Sequence, residues 1–265
     1  MRLIIMKNKI KQLIKKCWLA GCYAVHSLLQ PNPSVSRVII FHDIKDKELF
    51  RKRMQWLKEN YKIVSLNELV FQKDGKNRLA ITFDDGYANW FENAYPVLKD
   101  LNIPATFFVC SGLLDLTDEQ QLGFVKNRLK RNQTLQLINA NQIKEIAGNE
   151  LFDIGGHTVN HVDLGQNNSE DFWQAEIVRD KEGLEVLIDK KIKWFAYPFG
   201  GKNNINQQLE GFLKKIGFVG AFSFILGPAD KVNNFFEIPR TALNFSDPIW
   251  MWQSIINGYW DWTKK

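Results

Sequence analysis

From Arg37 to Leu243 the chain alternates short apolar runs with stretches of helical spacing, and this alternation restricts the fold more than any other feature of the sequence. The apolar runs are Arg37–His42, Leu79–Asp84, Pro104–Cys110, Leu151–Gly155, Lys193–Tyr197, Phe218–Phe224 and Phe236–Leu243. Helical segments are predicted between them. Asp46–Tyr61 carries Leu49, Phe50, Arg53, Met54 and Leu57 at helical intervals. Ser65-Leu66-Asn67-Glu68 reads as a capping box opening a short helix. Further helices are expected over Asn93–Leu101, Thr117–Lys130, Asn141–Ala147, Ser169–Leu187 and Ile205–Ile216, with a last one capped by Ser246 and running towards Gly258. Strands alternating with helices imply parallel pairing through right-handed crossovers. About seven such units fit an α/β fold of the distorted (β/α) barrel kind better than a flat doubly wound sheet. No Gly-x-Gly-x-x-Gly follows the first strand, so dinucleotide binding has no support.

Nothing in the 265 residues looks like an interdomain linker. The expectation is one catalytic domain over residues 34–265, preceded by a basic segment over residues 1–33. With 45% hydrophobic and 24% charged residues the composition is that of a globular protein, not a disordered one. The net charge is +6, but Lys and Arg are scattered rather than clustered, so no nucleic-acid footprint is read. The exception is the N-terminus, where Lys7, Lys9, Lys11, Lys15 and Lys16 lie close together. The apolar stretch that follows, residues 17–29, is short of the roughly 20 residues a bilayer span requires. Ile10, Leu13, Ile14, Cys17, Trp18 and Gly21 recur at helical spacing, which predicts an amphipathic helix ended by Pro31 and Pro33. Two readings stand side by side: the helix lies on a membrane surface, or it packs on the domain. Three cysteines at positions 17, 22 and 110 make no disulfide framework, and Cys110 is read as a buried thiol.

In barrels of this kind functional residues gather at the C-terminal ends of the strands. Thr82-Phe83-Asp84-Asp85-Gly86 puts two adjacent carboxylates at such an end. Like charges so placed call for a compensating cation. One carboxylate can bind a metal while the other stays free as a base. Gly155-Gly156-His157-Thr158-Val159-Asn160-His161 places two histidines four residues apart, which on a helical turn share a face and can reach one ion. Two His and one Asp leave coordination positions open for water and substrate. His42 ends the first strand, and Phe195-Ala196-Tyr197-Pro198-Phe199-Gly200-Gly201 is a strand running into a turn that can present backbone N–H groups to an oxyanion. Trp250, Trp252, Trp260 and Trp262 crowd the C-terminal tail, where they can stack on sugars or form a helix covering the barrel bottom.

Together these motifs resemble the polysaccharide deacetylase family with the NodB homology domain, carbohydrate esterase family 4, over about residues 37–245. Their arrangement is nearest the subgroup of poly-N-acetylglucosamine deacetylases. The stretch Ile81–Cys110 resembles the family throughout. The resemblance implies a divalent metal, zinc first, with cobalt, nickel, manganese and iron left open. It implies Asp85, His157 and His161 as metal ligands and Asp84 as general base. Pro198 and Phe199 would line the substrate site, with the Phe199 N–H in the oxyanion hole. Two departures stand out. Ala196 occupies the place of the family's motif arginine, and no histidine follows His161 to supply the acid. His42 fits the subgroup's arrangement, in which the acid lies on the first strand. Arg240, in Ile238-Pro239-Arg240, is the candidate to replace the arginine. The expected activity is hydrolysis of N-acetyl groups on an N-acetylated glycan or glycolipid, in the cell envelope and membrane-associated. The rivals are a catalytically weak glycan binder on the same fold, and a hydrolase of another C–N amide.

Overall fold

The computed structural model describes residues 35–72, 77–114, 116–131, 135–230 and 232–261, together with Gly21. The basic segment over residues 1–33, with its proposed amphipathic helix, therefore lies outside the described residues apart from Gly21. So does Trp262.

Among the described residues eight strands form one parallel sheet: β1 (Arg37–Phe41), β2 (Lys62–Ile63), β3 (Arg78–Phe83), β4 (Ala105–Val109), β5 (Phe152–Gly156), β6 (Trp194–Ala196), β7 (Gly220–Phe222) and β8 (Arg240–Ala242). The spatial order is β7-β6-β5-β4-β3-β1-β8, with the two-residue β2 paired onto the start of β3. The segment before β8 closes most of the remaining gap. Ile238 bridges to Phe222, and the Ser223 N–H donates to Ile238 O at 2.9 Å. The result is a nearly closed barrel of seven parallel strands with helices around it, as the alternation predicts. β2 has no counterpart among the predicted strands, because two residues are too few to show a period.

All five residues of β1 and all six of β3 are buried, as parallel strands covered on both faces require. Alternate residues divide between two cores. Val38, Ala80, Phe108, Trp194, Ala196 and Phe222 point inward and fill the barrel. Ile39, Phe41, Ile81, Phe83, Phe107 and Phe195 point outward against the helices. Because side chains alternate along a strand, the inward row that begins at Val38 ends at His42. The row of Ala80 and Thr82 ends at Asp84. Gly155, against Phe108, leads to His157. The period of two thus aims three polar side chains at one mouth of the barrel.

The helices begin where short polar side chains can take up free N–H groups. Asp46 accepts from the Leu49 N–H at 2.9 Å to open Lys47–Asn60, and Ser65 accepts from the Glu68 N–H at 3.2 Å to open Leu66–Phe71. The helix expected from Asn93 starts one turn earlier. A widened π turn, Trp90–Ala94, runs into Tyr95–Asp100 and braces the loop after β1. Trp90 Nε1 donates to His42 O at 2.7 Å, and Asn93 Nδ2 to Ile44 O at 2.7 Å.

The last helix, Ile249–Ile256, departs from expectation in two ways. Pro248 precedes it, and Ser246 instead donates to Asn244 Oδ1 through both its N–H and its hydroxyl. The helix also runs along the barrel wall rather than across the bottom. Trp252 packs on Phe41 at one end of β1, and Arg37 at the other end donates to Ile256 O. Trp252 is fully buried, which removes it from sugar stacking. Among the described residues no helix is long and apolar enough to cross a membrane.

Candidate active site

The mouth that collects His42, Asp84 and His157 opens into a cavity of about 250 Å³. Asp85, Leu129, Arg131, His161, Tyr197, Phe199, Phe224 and Arg240 line the rest of it. All of the sequence-predicted site residues except Pro198 line this space. Pro198 is buried beneath the turn, and its carbonyl accepts from the Gly200 N–H at 2.8 Å.

Asp84 continues β3 in extended register, its N–H donating to Phe41 O at 3.1 Å. Both of its carboxylate oxygens receive the Arg240 guanidinium, Nη1 to Oδ1 at 2.7 Å and Nη2 to Oδ2 at 2.6 Å. This parallel fork is the strongest geometry open to such a pair. Arg240 is held in turn by Ser223 O, which accepts from Nε at 3.0 Å, and its guanidinium lies over the Phe108 ring. The guanidinium that Asp84 receives thus comes from β8, while Ala196 on β6 carries no charged side chain.

Asp85 turns the other way. Its φ is +84°, a left-handed backbone that swings its side chain away from the Asp84 direction, and Gly86 follows at φ +85°. Asp85 Oδ1 lies 3.5 Å from His157 Nε2 and 3.3 Å from His161 Nε2. The two histidines do not share a helical turn, contrary to the expectation from their spacing. Residues 157–161 form a loop in which Thr158 and His161 have φ of +67° and +50°. Those two left-handed residues fold the loop so that the rings meet at 5.0 Å between centroids.

The electrostatics follow from burial and pairing. Burial works against charge on Asp85, but hydrogen bonds to His157 and His161 prevail and hold its carboxyl well below the usual range. Burial likewise opposes a charged His157, yet Asp85 and Asp84 outweigh it and leave that imidazole raised. His42 goes down, because burial exceeds the upward pull of the two carboxylates.

The donor set fits a divalent metal. His157 Nδ1 lies 2.7 Å from Ala196 O, and His161 Nδ1 lies 3.2 Å from Arg128 O. Backbone carbonyls can only accept, so each Nδ1 carries a proton, which leaves each Nε2, on the side facing Asp85, as the nitrogen free to give up its proton to a metal. Three ligand atoms about 2.0–2.1 Å from a tetrahedral zinc ion stand roughly 3.3–3.4 Å apart. The Asp–His separations of 3.3 and 3.5 Å match this, and all three ligand atoms lie within 4.8 Å of one another.

Several residues of this site were passed over in the sequence. Tyr87 donates its hydroxyl to Asp85 Oδ2 at 3.0 Å. Asp180 accepts from the His157 N–H at 2.9 Å and the Ser111 N–H at 2.8 Å. Burial pushes its carboxyl up to about 7 against those hydrogen bonds. One helical turn earlier, Glu176 accepts from the backbone and side-chain nitrogens of Asn160 at 3.0 and 2.9 Å. A signal for these two was present. Trp173, Glu176, Ile177, Asp180 and Leu184 recur at helical spacing, so both acids sit in the stripe that faces the core. The double glycine before His157 also acquires a reason. A Cβ on Gly155 would come within 2.4 Å of the Phe108 ring, and one on Gly156 within 2.9 Å of Asp180 Oδ2.

A sequence model of the polysaccharide deacetylase family matches residues 71–220. The chain belongs to that family. Among proteins of similar sequence are two named poly-β-1,6-N-acetyl-D-glucosamine N-deacetylase. The one from Staphylococcus aureus strain MRSA252 is 28% identical, covering 74% of this chain and 66% of its own. The one from Staphylococcus epidermidis is 26% identical, covering 80% and 71%. This polysaccharide deacetylase family member thus spans about two thirds of the length of the relatives it matches. Solved structures share its fold. IcaB from Ammonifex degensii superposes with a TM-score of 0.68 at 19% identity, over 85% of this chain and 98% of that one. The Streptococcus pyogenes deacetylase PplD, in complex with acetate, gives 0.67 at 21% identity, over 84% and 99%.

Proposed function

We propose that the protein is a metal-dependent N-deacetylase of the cell envelope that removes acetyl groups from a polymer of N-acetylglucosamine. One observation carries this reading: a carboxylate held by a bidentate arginine stands next to a buried Asp-His-His ligand set in one cavity. The names of the Staphylococcus relatives support the choice of glycan.

In this reading Asp85, His157 and His161 hold the cation, and zinc suits two imidazoles and a carboxylate best. Bound there, it would polarise the acetyl carbonyl and acidify a water molecule. Asp84 accepts the proton of the attacking water, and the bidentate Arg240 fixes the aim of its carboxylate. The Phe199 N–H, on a turn whose φ is +63°, stabilises the oxyanion as the carbonyl carbon becomes tetrahedral. His42 protonates the departing sugar nitrogen, which an amide requires because an amide anion is a very poor leaving group. The Phe199 ring packs edge-on against His161 at 4.9 Å and, being 44% exposed, forms the rim that a sugar would meet.

The test is acetate release from defined β-1,6-linked N-acetylglucosamine oligomers by metal-loaded protein. The same assay on lipid-linked N-acetylated sugars and on small cyclic amides covers the competing substrates. Release from the oligomers is expected. Binding of oligomers without any release would leave a glycan binder, and cleavage of cyclic amides alone would move the protein to another hydrolase class.

A further inference from the structure

Asp85 has two carboxylate oxygens, and they have different neighbours. Oδ1 faces both histidines, while Oδ2 receives the Tyr87 hydroxyl. Tyr87 is 1% exposed, and its ring stands edge-on to Trp90 at 6.4 Å. Its backbone is pinned on both sides. Tyr87 bridges to Leu137, the Ala88 N–H donates to Gln136 O at 2.9 Å, and the Ile138 N–H donates to Gly86 O at 2.8 Å. The Arg131 guanidinium lies near enough to Tyr87 to act on it electrostatically. Arg131 also lines both the catalytic cavity and the adjoining groove of about 640 Å³.

These contacts decide how Asp85 can bind a cation. A carboxylate on a left-handed residue at the start of a loop has no strand neighbour to fix its rotation. Left alone, it can turn to offer both oxygens to a divalent ion, and a second oxygen would fill a position that water or the acetyl carbonyl needs. A hydroxyl donated to Oδ2 ties that oxygen down, and a cation near the alcohol favours the donation.

We propose that Tyr87 is a positioning residue that commits Asp85 to binding the cation through Oδ1 alone, with the neighbouring Arg131 charge favouring that donation. The inference rests on the ligand set proposed above. It assigns a role to the residue directly after the Asp-Asp-Gly turn and to an arginine well separated from it in sequence.

The experiment uses Co²⁺ and Zn²⁺ on the full chain. Affinity is read by competition with a chromophoric chelator, and coordination number by the visible spectrum of bound Co²⁺. Metal-free melting serves as the folding control. Tyr87→Phe should bind metal roughly 10–100-fold more weakly. Its Co²⁺ bands should weaken as the coordination number rises, and its metal-free melting should stay near the parent's. Arg131→Ala should shift both readouts in the same direction by less. The double variant should be no worse than Tyr87→Phe alone, because both changes remove one device. Parental affinity and spectrum in Tyr87→Phe, with metal lost in Asp85→Ala, would overturn the inference and leave the ligand set standing. Parental affinity in Asp85→Ala as well would overturn both. Weaker binding with an unchanged Co²⁺ spectrum would also overturn it, since the hydroxyl would then stabilise the loop and not the mode of ligation.

Discussion

Asp84 and Asp85 are consecutive in the chain but belong to halves of the site that are built differently. The half containing Asp84 is held by strands. His42 continues β1, Asp84 continues β3, and Arg240 opens β8, so the pairing register of three neighbouring strands sets their positions. The half containing Asp85 is held by loops. Asp85, Thr158 and His161 all have positive φ, a conformation that costs a non-glycine residue about 1–3 kcal/mol. Buried groups outside the ligand set offset that cost: Tyr87 on Asp85, Asp180 on the His157 N–H, Glu176 on Asn160. The difference teaches where each half is vulnerable. Damage to the strand half should spare metal and impair chemistry, whereas damage to the loop half should act through the metal first.

The largest expected effect lies in the loop half. Asp85→Ala should lose bound metal and nearly all acetate release while keeping a cooperative melt. Metal analysis beside thermal unfolding checks this, and full metal occupancy would break the comparison at once. In the strand half, His42→Ala should keep its metal but hydrolyse the amide about 10²–10⁴-fold more slowly. An activated acetate ester, whose leaving group needs no proton, should suffer much less. Equal losses on amide and ester would make His42 structural.

Arg240→Ala tests the same half through stability as well as rate. It leaves the buried Asp84 carboxylate without its partner, which typically costs about 3–5 kcal/mol. Denaturant unfolding should show that loss, and turnover should drop more than metal affinity. A variant that unfolds like the parent and turns over normally would remove the arginine from the account. The smallest effect is expected from Asp180→Ala, which strips the acceptor from the His157 N–H. Chelator competition should give roughly 10–100-fold weaker metal binding. Unchanged affinity would show that the glycine-rich backbone alone sets the loop.

The strand half was the more legible in the sequence. Buried parallel strands leave continuous apolar runs, and the residue that ends each run is a site candidate by position alone. His42, Asp84 and Asp85 were read in this way. Arg240 needed the family resemblance to be singled out, because its partner is 156 residues away and no local pattern connects them. The loop half was legible in composition but not in geometry. The spacing of His157 and His161 suggested a helical turn, and only the left-handed backbone at Thr158 and His161 shows how they converge without one. Glu176 and Asp180 passed for ordinary helix acids, although their spacing matched the apolar stripe. Tyr87 was not singled out, since nothing local shows that its hydroxyl points back at Asp85.

Asp84→Asn tests the division between the two carboxylates most directly, by metal content and acetate release measured on one preparation. The change is nearly isosteric; it removes the capacity to accept a proton from water and leaves Arg240 facing a neutral amide. The account predicts one divalent metal per chain, as in the parent, with acetate release from N-acetylglucosamine oligomers lowered by about 10²–10⁴-fold. Parental acetate release, or loss of the metal together with the activity, would contradict it.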